Sequence, residues 1–199
     1  MQIALLFGSF NPVHYGHVML GQYVLNFASV DEVWYVVSPH NPFKNVADLA
    51  PAEHRLRMVS LAVAESTRLK VSDVELHLPL PSYTVQTIRQ LQADYPHHTF
   101  SIVIGGDNLD GLSSWHSANE LLHGRRIIVY PRPRQVLDPQ PIQALGAKVD
   151  VLNAPQIDIS STMLRQWVSK NIDISNFTHP NVVKYIRENN LYLSPVNEK

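Results

Sequence analysis

The sequence contains no cysteine, which excludes disulfide scaffolding, cysteine nucleophiles and thiolate metal sites. It also lacks an excess of either charge: 16 Lys and Arg against 17 Asp and Glu leave a net charge of −1. A general nucleic-acid or membrane-surface binder carries a large basic excess, so neither partner is expected, although a local basic pocket stays open. No run approaches the roughly 18 apolar residues that a membrane span needs. The start, Met1-Gln2-Ile3-Ala4-Leu5-Leu6-Phe7, shows no basic leader or cleavage site before Gly8. A cytoplasmic protein is the expectation. What is present is 199 residues, 45% of them hydrophobic, with 10 histidines. That length suits one domain over residues 1–199 with a hydrophobic core of its own.

Short apolar runs recur at Ile3 to Phe7, Val33 to Val37, Leu69 to Val74, Phe100 to Ile104, Ile127 to Tyr130 and Val149 to Leu152. They are continuous rather than alternating, as in strands buried on both faces of a parallel sheet. Helical patterns lie between and after them. Residues 51–66 place Leu56, Val59, Ala62 and Val63 on one face, and residues 83–94 follow a cap at Ser82. A helix starting at Ser160 or Ser161 buries Leu164, Trp167 and Val168; another starts near Pro180 and buries Val182, Val183 and Ile186. The proline-rich stretch from Pro131 to Pro141 reads as a surface loop. Strands alternating with helices predict an α/β, doubly wound, mostly parallel sheet. Ligands of such sheets bind beyond the carboxyl ends of the strands where strand order reverses. With the common order 3-2-1-4-5, that places Gly8-Ser9-Phe10 beside Gly105-Gly106-Asp107.

The segment from Gly8 to His17 follows the first strand and leads into a helix. His14 and His17, separated by Tyr15 and Gly16, fall where that helix presents free N–H groups and a positive dipole end, an arrangement suited to polyphosphate. Two other assignments stay open for the pair alone: ligation of a metal, for which no third ligand is evident, and satisfied turn residues. Late in the chain, Ile159-Ser160-Ser161-Thr162-Met163-Leu164-Arg165 places hydroxyls and N–H groups at a helix start with an arginine one turn in. That is a second phosphate-type arrangement, or an ordinary helix cap.

His14-Tyr15-Gly16-His17 and the Ile159–Arg165 stretch together resemble the nucleotidyltransferases marked by a His/Thr-x-Gly-His motif. Within them the sequence is most similar to the bacterial-type nicotinate-nucleotide adenylyltransferases. The supporting stretches are Asn41-Pro42-Phe43-Lys44 with His54-Arg55-Leu56-Arg57-Met58; Asp73-Val74-Glu75-Leu76 with Ser82-Tyr83-Thr84-Val85-Gln86-Thr87; Ile104-Gly105-Gly106-Asp107 with Trp115; and Val183-Lys184-Tyr185-Ile186 to Leu191-Tyr192. His77 stands where several relatives carry arginine, and Phe43 where many carry histidine.

The resemblance implies a Rossmann-like fold whose C-terminal helices, from about residue 160, complete the active site. It implies transfer of AMP from ATP to nicotinate mononucleotide, giving deamido-NAD and pyrophosphate, with Mg2+ accompanying the ATP. His14, His17, Lys44 and Arg165 would be catalytic. ATP would lie against Gly8, Ser9, Phe10, His14, Gly16, His17, Gly105, Asp107, Ile159, Ser160, Ser161, Thr162 and Arg165. The acceptor would lie against Lys44, Ser82, Tyr83, Thr84, Thr87 and Trp115, with Ser82 and Thr87 open to a purely bracing role. No dedicated protein metal site is implied. Nicotinamide mononucleotide or phosphopantetheine as acceptor, and a non-catalytic nucleotide sensor, are the alternatives. A Rossmann dehydrogenase is disfavoured, because no Gly-x-Gly-x-x-Gly follows the first strand. A homo-oligomer is neither required nor excluded.

Overall fold

The computed structural model describes residues 1–39, 49–131, 135–155 and 157–193. Six strands form one parallel sheet: β1 (Gln2–Gly8), β2 (Glu32–Val37), β3 (Leu69–Ser72), β4 (Thr99–Gly105), β5 (Arg126–Tyr130) and β6 (Lys148–Val151), in the order β3-β2-β1-β4-β5-β6. Each apolar run of the sequence becomes a strand, and the order reverses between β1 and β4 as expected. The run from Leu69 ends at Ser72, and Val74–His77 turns instead into a short 3-10 helix. Central β1 is buried from Ile3 to Leu6, whereas edge strand β6 is exposed at Lys148 and Val151. Burial on both faces therefore holds for the centre of the sheet and not for that edge, which has a neighbour on one side alone.

The helices are α1 (Tyr15–Phe27), α2 (Ala52–Ala62), α3 (Thr84–Asp94), α4 (Ala118–Leu122), α5 (Gln140–Gln143), α6 (Ser161–Ser169) and α7 (Pro180–Glu188). Side chains alternate across a strand, so Ala4 and Leu6 enter one core while Ile3 and Leu5 enter the other. The first core packs α1, α2, α6 and α7 through Val24, Met58, Val59, Leu164, Val182 and Ile186. The second packs α3 and α4 through Val85, Ile88, Leu91 and Leu121. Ile142 of α5, just past the proline-rich stretch, is also buried there, while the described residues of that stretch are exposed or half-buried, as a surface loop is.

Three local expectations change. The N-cap position of α3 is Tyr83 and not Ser82, whose hydroxyl is taken elsewhere, as described below. Trp167 and Val168 are half-buried, with Leu164 the fully covered residue of α6. On α2 the buried face is Arg55, Met58, Val59 and Ala62, which displaces Leu56 to a half-buried position.

Candidate active site

The loop between β1 and α1 is fixed by its own backbone carbonyls. Arg55 Nη1 donates to the carbonyl of Ser9 (2.8 Å), Arg165 Nη1 to that of Asn11 (3.0 Å), Ser161 Oγ to that of Pro12 (2.8 Å) and Thr178 Oγ1 to that of Val13 (2.8 Å). The Asn11 side-chain oxygen also accepts from the Ala50 amide (3.0 Å) and the Tyr192 hydroxyl (2.8 Å). Donors separated by up to 181 positions in the chain thus converge on five consecutive residues. Phe10, buried in this loop, has φ +45°. For a bulky L-residue that backbone costs on the order of 1–2 kcal/mol and persists where its surroundings impose it. A Cβ on Gly8 would meet the Phe10 ring at 2.8 Å, so glycine is required for that ring to fold back.

The loop delivers two imidazoles to the start of α1. The rings of His14 and His17 stack with centroids 3.7 Å apart. A Cβ on Gly16 would lie 3.0 Å from His14 Nδ1, so the intervening glycine clears space for the first ring. His14 is 6% exposed, and burial holds its pKa down at about 4. It is therefore neutral at physiological pH, and it can donate a hydrogen bond without bringing positive charge. The His14 amide donates to His17 Nδ1 (3.2 Å). That bond makes Nδ1 the acceptor and leaves the proton of a neutral His17 on Nε2. The edge of Phe10 packs on His17 at 5.1 Å, and the Tyr35 hydroxyl donates to the His17 carbonyl (3.1 Å).

These residues open into a cleft of about 920 Å³ that also takes in Ile159, Ser160, Ser161, Thr162 and Arg165 of the late motif. Two motifs from opposite ends of the chain therefore share one cavity, with the N-termini of α1 and α6 both at it. Their hydroxyls, however, are partly committed. Ser160 Oγ caps α6 by accepting from the Met163 amide (3.2 Å), and Ser161 Oγ holds Pro12. The Ser161 proton is thus taken by Pro12, whereas Ser160, an acceptor in its bond, keeps its own proton for an anion. The first-turn amides of α6, the exposed Thr162 and the Arg165 guanidinium are also suited to an anion. Arg165 is aimed by its bond to Asn11 and by a long contact with Thr162 Oγ1 (3.4 Å).

Among the described residues, none of the expected acceptor residues lines this cleft. Tyr83, 38% exposed, stacks on His116 with centroids 4.2 Å apart. Trp115 is half-buried against the second core. Thr84 opens α3 and is half-buried. Thr87 is completely covered and donates to Glu75 Oε1 (2.8 Å), so it presents no surface to a ligand and braces instead. Ser82 bonds the same carboxylate. Gly105 is buried at the end of β4, and Asp107 is exposed just beyond it. Ser9 is buried in the loop after β1. Lys44 falls outside the described residues, with the whole Asn41–Lys44 stretch.

Four residues with evident positional work received no role from the sequence: Asn11, Arg55, Glu75 and Tyr192. Arg55 occupies the first position of an i, i+3, i+4, i+7 buried stripe on α2, and Glu75 sits between Val74 and Leu76. A charge standing in an apolar pattern was the available signal for both. Among the described residues no group of three His, Asp or Glu side chains converges as a metal site, and no helix is long and apolar enough to cross a membrane.

The model of the cytidylyltransferase-like family matches residues 5–167. A protein of Bacteroides fragilis named "Probable nicotinate-nucleotide adenylyltransferase" is 44% identical over 90% of this chain and 88% of its own. A protein of the same name from Flavobacterium johnsoniae is 40% identical over 96% and 99%. Among solved structures, the Plasmodium falciparum nicotinic acid mononucleotide adenylyltransferase complexed with NaAD superposes with a TM-score of 0.78 at 25% identity, covering 96% of this chain and 97% of that one. The shared cleft of the two phosphate-type motifs and these likenesses over nearly the full length agree: the chain belongs to the cytidylyltransferase-like family and, within it, to the nicotinate-nucleotide adenylyltransferases.

Proposed function

We propose that this chain, as one domain over residues 1–199, transfers AMP from ATP to the 5′-phosphate of nicotinate mononucleotide, giving deamido-NAD and pyrophosphate. The observation that carries this is the single cleft in which His14 and His17 meet Thr162 and Arg165. A phosphate oxygen of the acceptor forms the new bond to the α-phosphorus of ATP, and the bond from that phosphorus to the pyrophosphate oxygen breaks. The nucleophile is already ionised near neutral pH, so catalysis rests on in-line positioning and on stabilising charge that develops on the leaving group.

The chain supplies that stabilisation as oriented donors more than as net charge. His17 offers Nε2–H toward the phosphates, fixed in that tautomer by the His14 amide. His14, kept neutral by burial, donates without attracting a carboxylate. Arg165 brings permanent charge, Lys44 is assigned the same part, and the N-termini of α1 and α6 add their dipoles. Gly8, Ser9, Phe10 and Gly16 shape the loop, while Gly105 and Asp107 meet a ribose. Tyr83, Thr84 and Trp115 are assigned the pyridine ring and its carboxylate.

Nucleotidyl transfer uses a divalent cation with the nucleoside triphosphate, and Mg2+ is the ion proposed here; it would neutralise charge on the phosphates. Mg2+ carried by a nucleoside triphosphate keeps several waters and needs few protein ligands.

Pyrophosphate release from ATP and Mg2+ is the test, with nicotinate mononucleotide, nicotinamide mononucleotide and phosphopantetheine compared as acceptors. Preference for the nicotinate acceptor is expected. Release with another acceptor would replace the substrate and keep the mechanism. ATP binding without release from any of them would favour a nucleotide sensor.

A further inference from the structure

We infer that Glu75 is a positioning residue for the acceptor: its buried carboxylate gathers the hydroxyls of Ser38, Ser82 and Thr87 and so sets where Tyr83 and Thr84 stand. This rests on the acceptor side being where the proposed function places it. Glu75 is 4% exposed, lies in the 3-10 turn after β3, and has no cationic partner among its bonded groups. Its oxygens accept instead from three hydroxyls on two separate pieces of chain. Thr87 is on α3, at 2.8 Å. Ser82 immediately precedes the cap of α3, and Ser38 follows the last residue of β2.

Burial pushes the Glu75 pKa up and the three hydroxyls oppose that shift. Its carboxyl oxygens have lone pairs enough for all three, whereas a hydrophobic residue in its place would leave three buried hydroxyls without that acceptor. The Ser38 link reaches the nucleotide side as well. Arg55 Nη1 donates to the Ser38 carbonyl (2.7 Å) and to the Ser9 carbonyl (2.8 Å), so Ser38 is held by its hydroxyl from one half and by its carbonyl from the other. The segment that carries Tyr83 and Thr84 is also fixed by the Tyr83 amide on Gln86 Oε1 (3.2 Å) and, one residue on, by Val85 in the second core. Those contacts hold the helix start and its apolar side, and Glu75 supplies the polar link between its first turn and the end of β2.

The test is steady-state kinetics of Glu75→Gln and Glu75→Ala beside the unaltered protein, each substrate varied in turn, with circular dichroism confirming the fold. Misplacement of a binding group by a fraction of an ångström to one ångström costs up to about a hundredfold. Glu75→Ala is therefore expected to raise KM for nicotinate mononucleotide by about tenfold or more, with KM for ATP within about twofold. Glu75→Gln, which keeps an acceptor oxygen and the same shape, is expected to fall between the two and carries the test alone if the alanine variant does not fold. Equal changes in both KM values, or a lower kcat with neither KM altered, would overturn the inference, because a merely structural loss reduces the active fraction without touching one substrate selectively. If the unaltered protein uses a different acceptor, the substrate assignment fails separately, and the same KM comparison made with that acceptor still decides the role of Glu75.

Discussion

The two halves of the site are held in different ways. On the nucleotide side, residues 9–13 are gripped through four carbonyls and one side chain by donors from α2, α6, the 177–178 turn and the C-terminal Tyr192. On the side proposed for the acceptor, Tyr83 is exposed on the surface and its segment is tied to Glu75 and, through Val85, to the second core. Charge transfer between phosphates demands donors already in place, because reorganising them during the reaction would raise the barrier. Recognition of a flat ring tolerates an open stacking surface. The nucleotide half is rigid by construction, and removing its parts should separate chemistry from stability.

The sharpest separation is His17→Ala. It removes an oriented donor and the partner of the His14 amide. Pyrophosphate release is expected to fall by on the order of 10²–10³, while loss of one half-exposed bond costs about 1 kcal/mol. Assay and thermal melt on the same sample check both, and near-normal turnover would remove His17 from the mechanism.

Arg55→Met should do the reverse, through stability first. Arg55 is 1% exposed and donates to the carbonyls of Ala50, Ser9, Ser38 and Pro39 at 2.7–2.9 Å. No carboxylate is among these bonds, so carbonyl dipoles face the cation, and burial pulls its pKa downward. Stranding those four acceptors is expected to cost about 3–5 kcal/mol, of the size seen when one partner of a buried charged pair is removed. In a chain of this length that lowers Tm by roughly 10 °C. An unchanged melt would show that water replaces the guanidinium.

His14 makes the comparison pH-dependent. Its folded pKa of about 4 lies below the ordinary 6.5, so between those values the unfolded chain binds more protons than the folded one. Stability therefore falls as pH drops from about 6.5 to about 4 and has no further loss from this group below that. The full difference is at most about 3 kcal/mol. Urea midpoints across pH 4–7 should show the slope, and His14→Gln should flatten it.

The smallest effects belong to single hydroxyls. Ser160→Ala removes the α6 cap and should cost about 1 kcal/mol. Tyr192→Phe removes a bond to the Asn11 side chain and should cost about the same, with KM for ATP raised severalfold at most because Arg165 keeps its bond to the Asn11 carbonyl. A larger rise in KM would show that Tyr192, and not Arg165 itself, sets the position of Asn11.

Much of this was visible in the sequence, and the reasons are local. Apolar runs such as Phe100 to Ile104 mark central strands because both faces of a parallel sheet are covered. Gly16 between two histidines marks a loop meeting a helix start. Where legibility ended, the competing factor was tertiary. Ser82 looked like a cap by type, yet a buried carboxylate seven residues earlier claims its hydroxyl. Ser161 looked like a phosphate ligand, yet a carbonyl 149 positions away takes its proton. Leu56 looked like the buried face of α2, yet the helix turns Arg55 inward because four carbonyls await it.

Periodicity and composition by themselves determined the alternation of strands and helices along the chain and the two phosphate-type motifs, since each depends on side-chain spacing along one short segment. Only the tertiary structure decided which hydroxyls remain available to a ligand, which charges are buried, and that Asn11, Glu75, Arg55 and Tyr192 hold the site. Those outcomes depend on which donor meets which acceptor across the chain, and a polar group taken from water must bond whatever the fold brings to it.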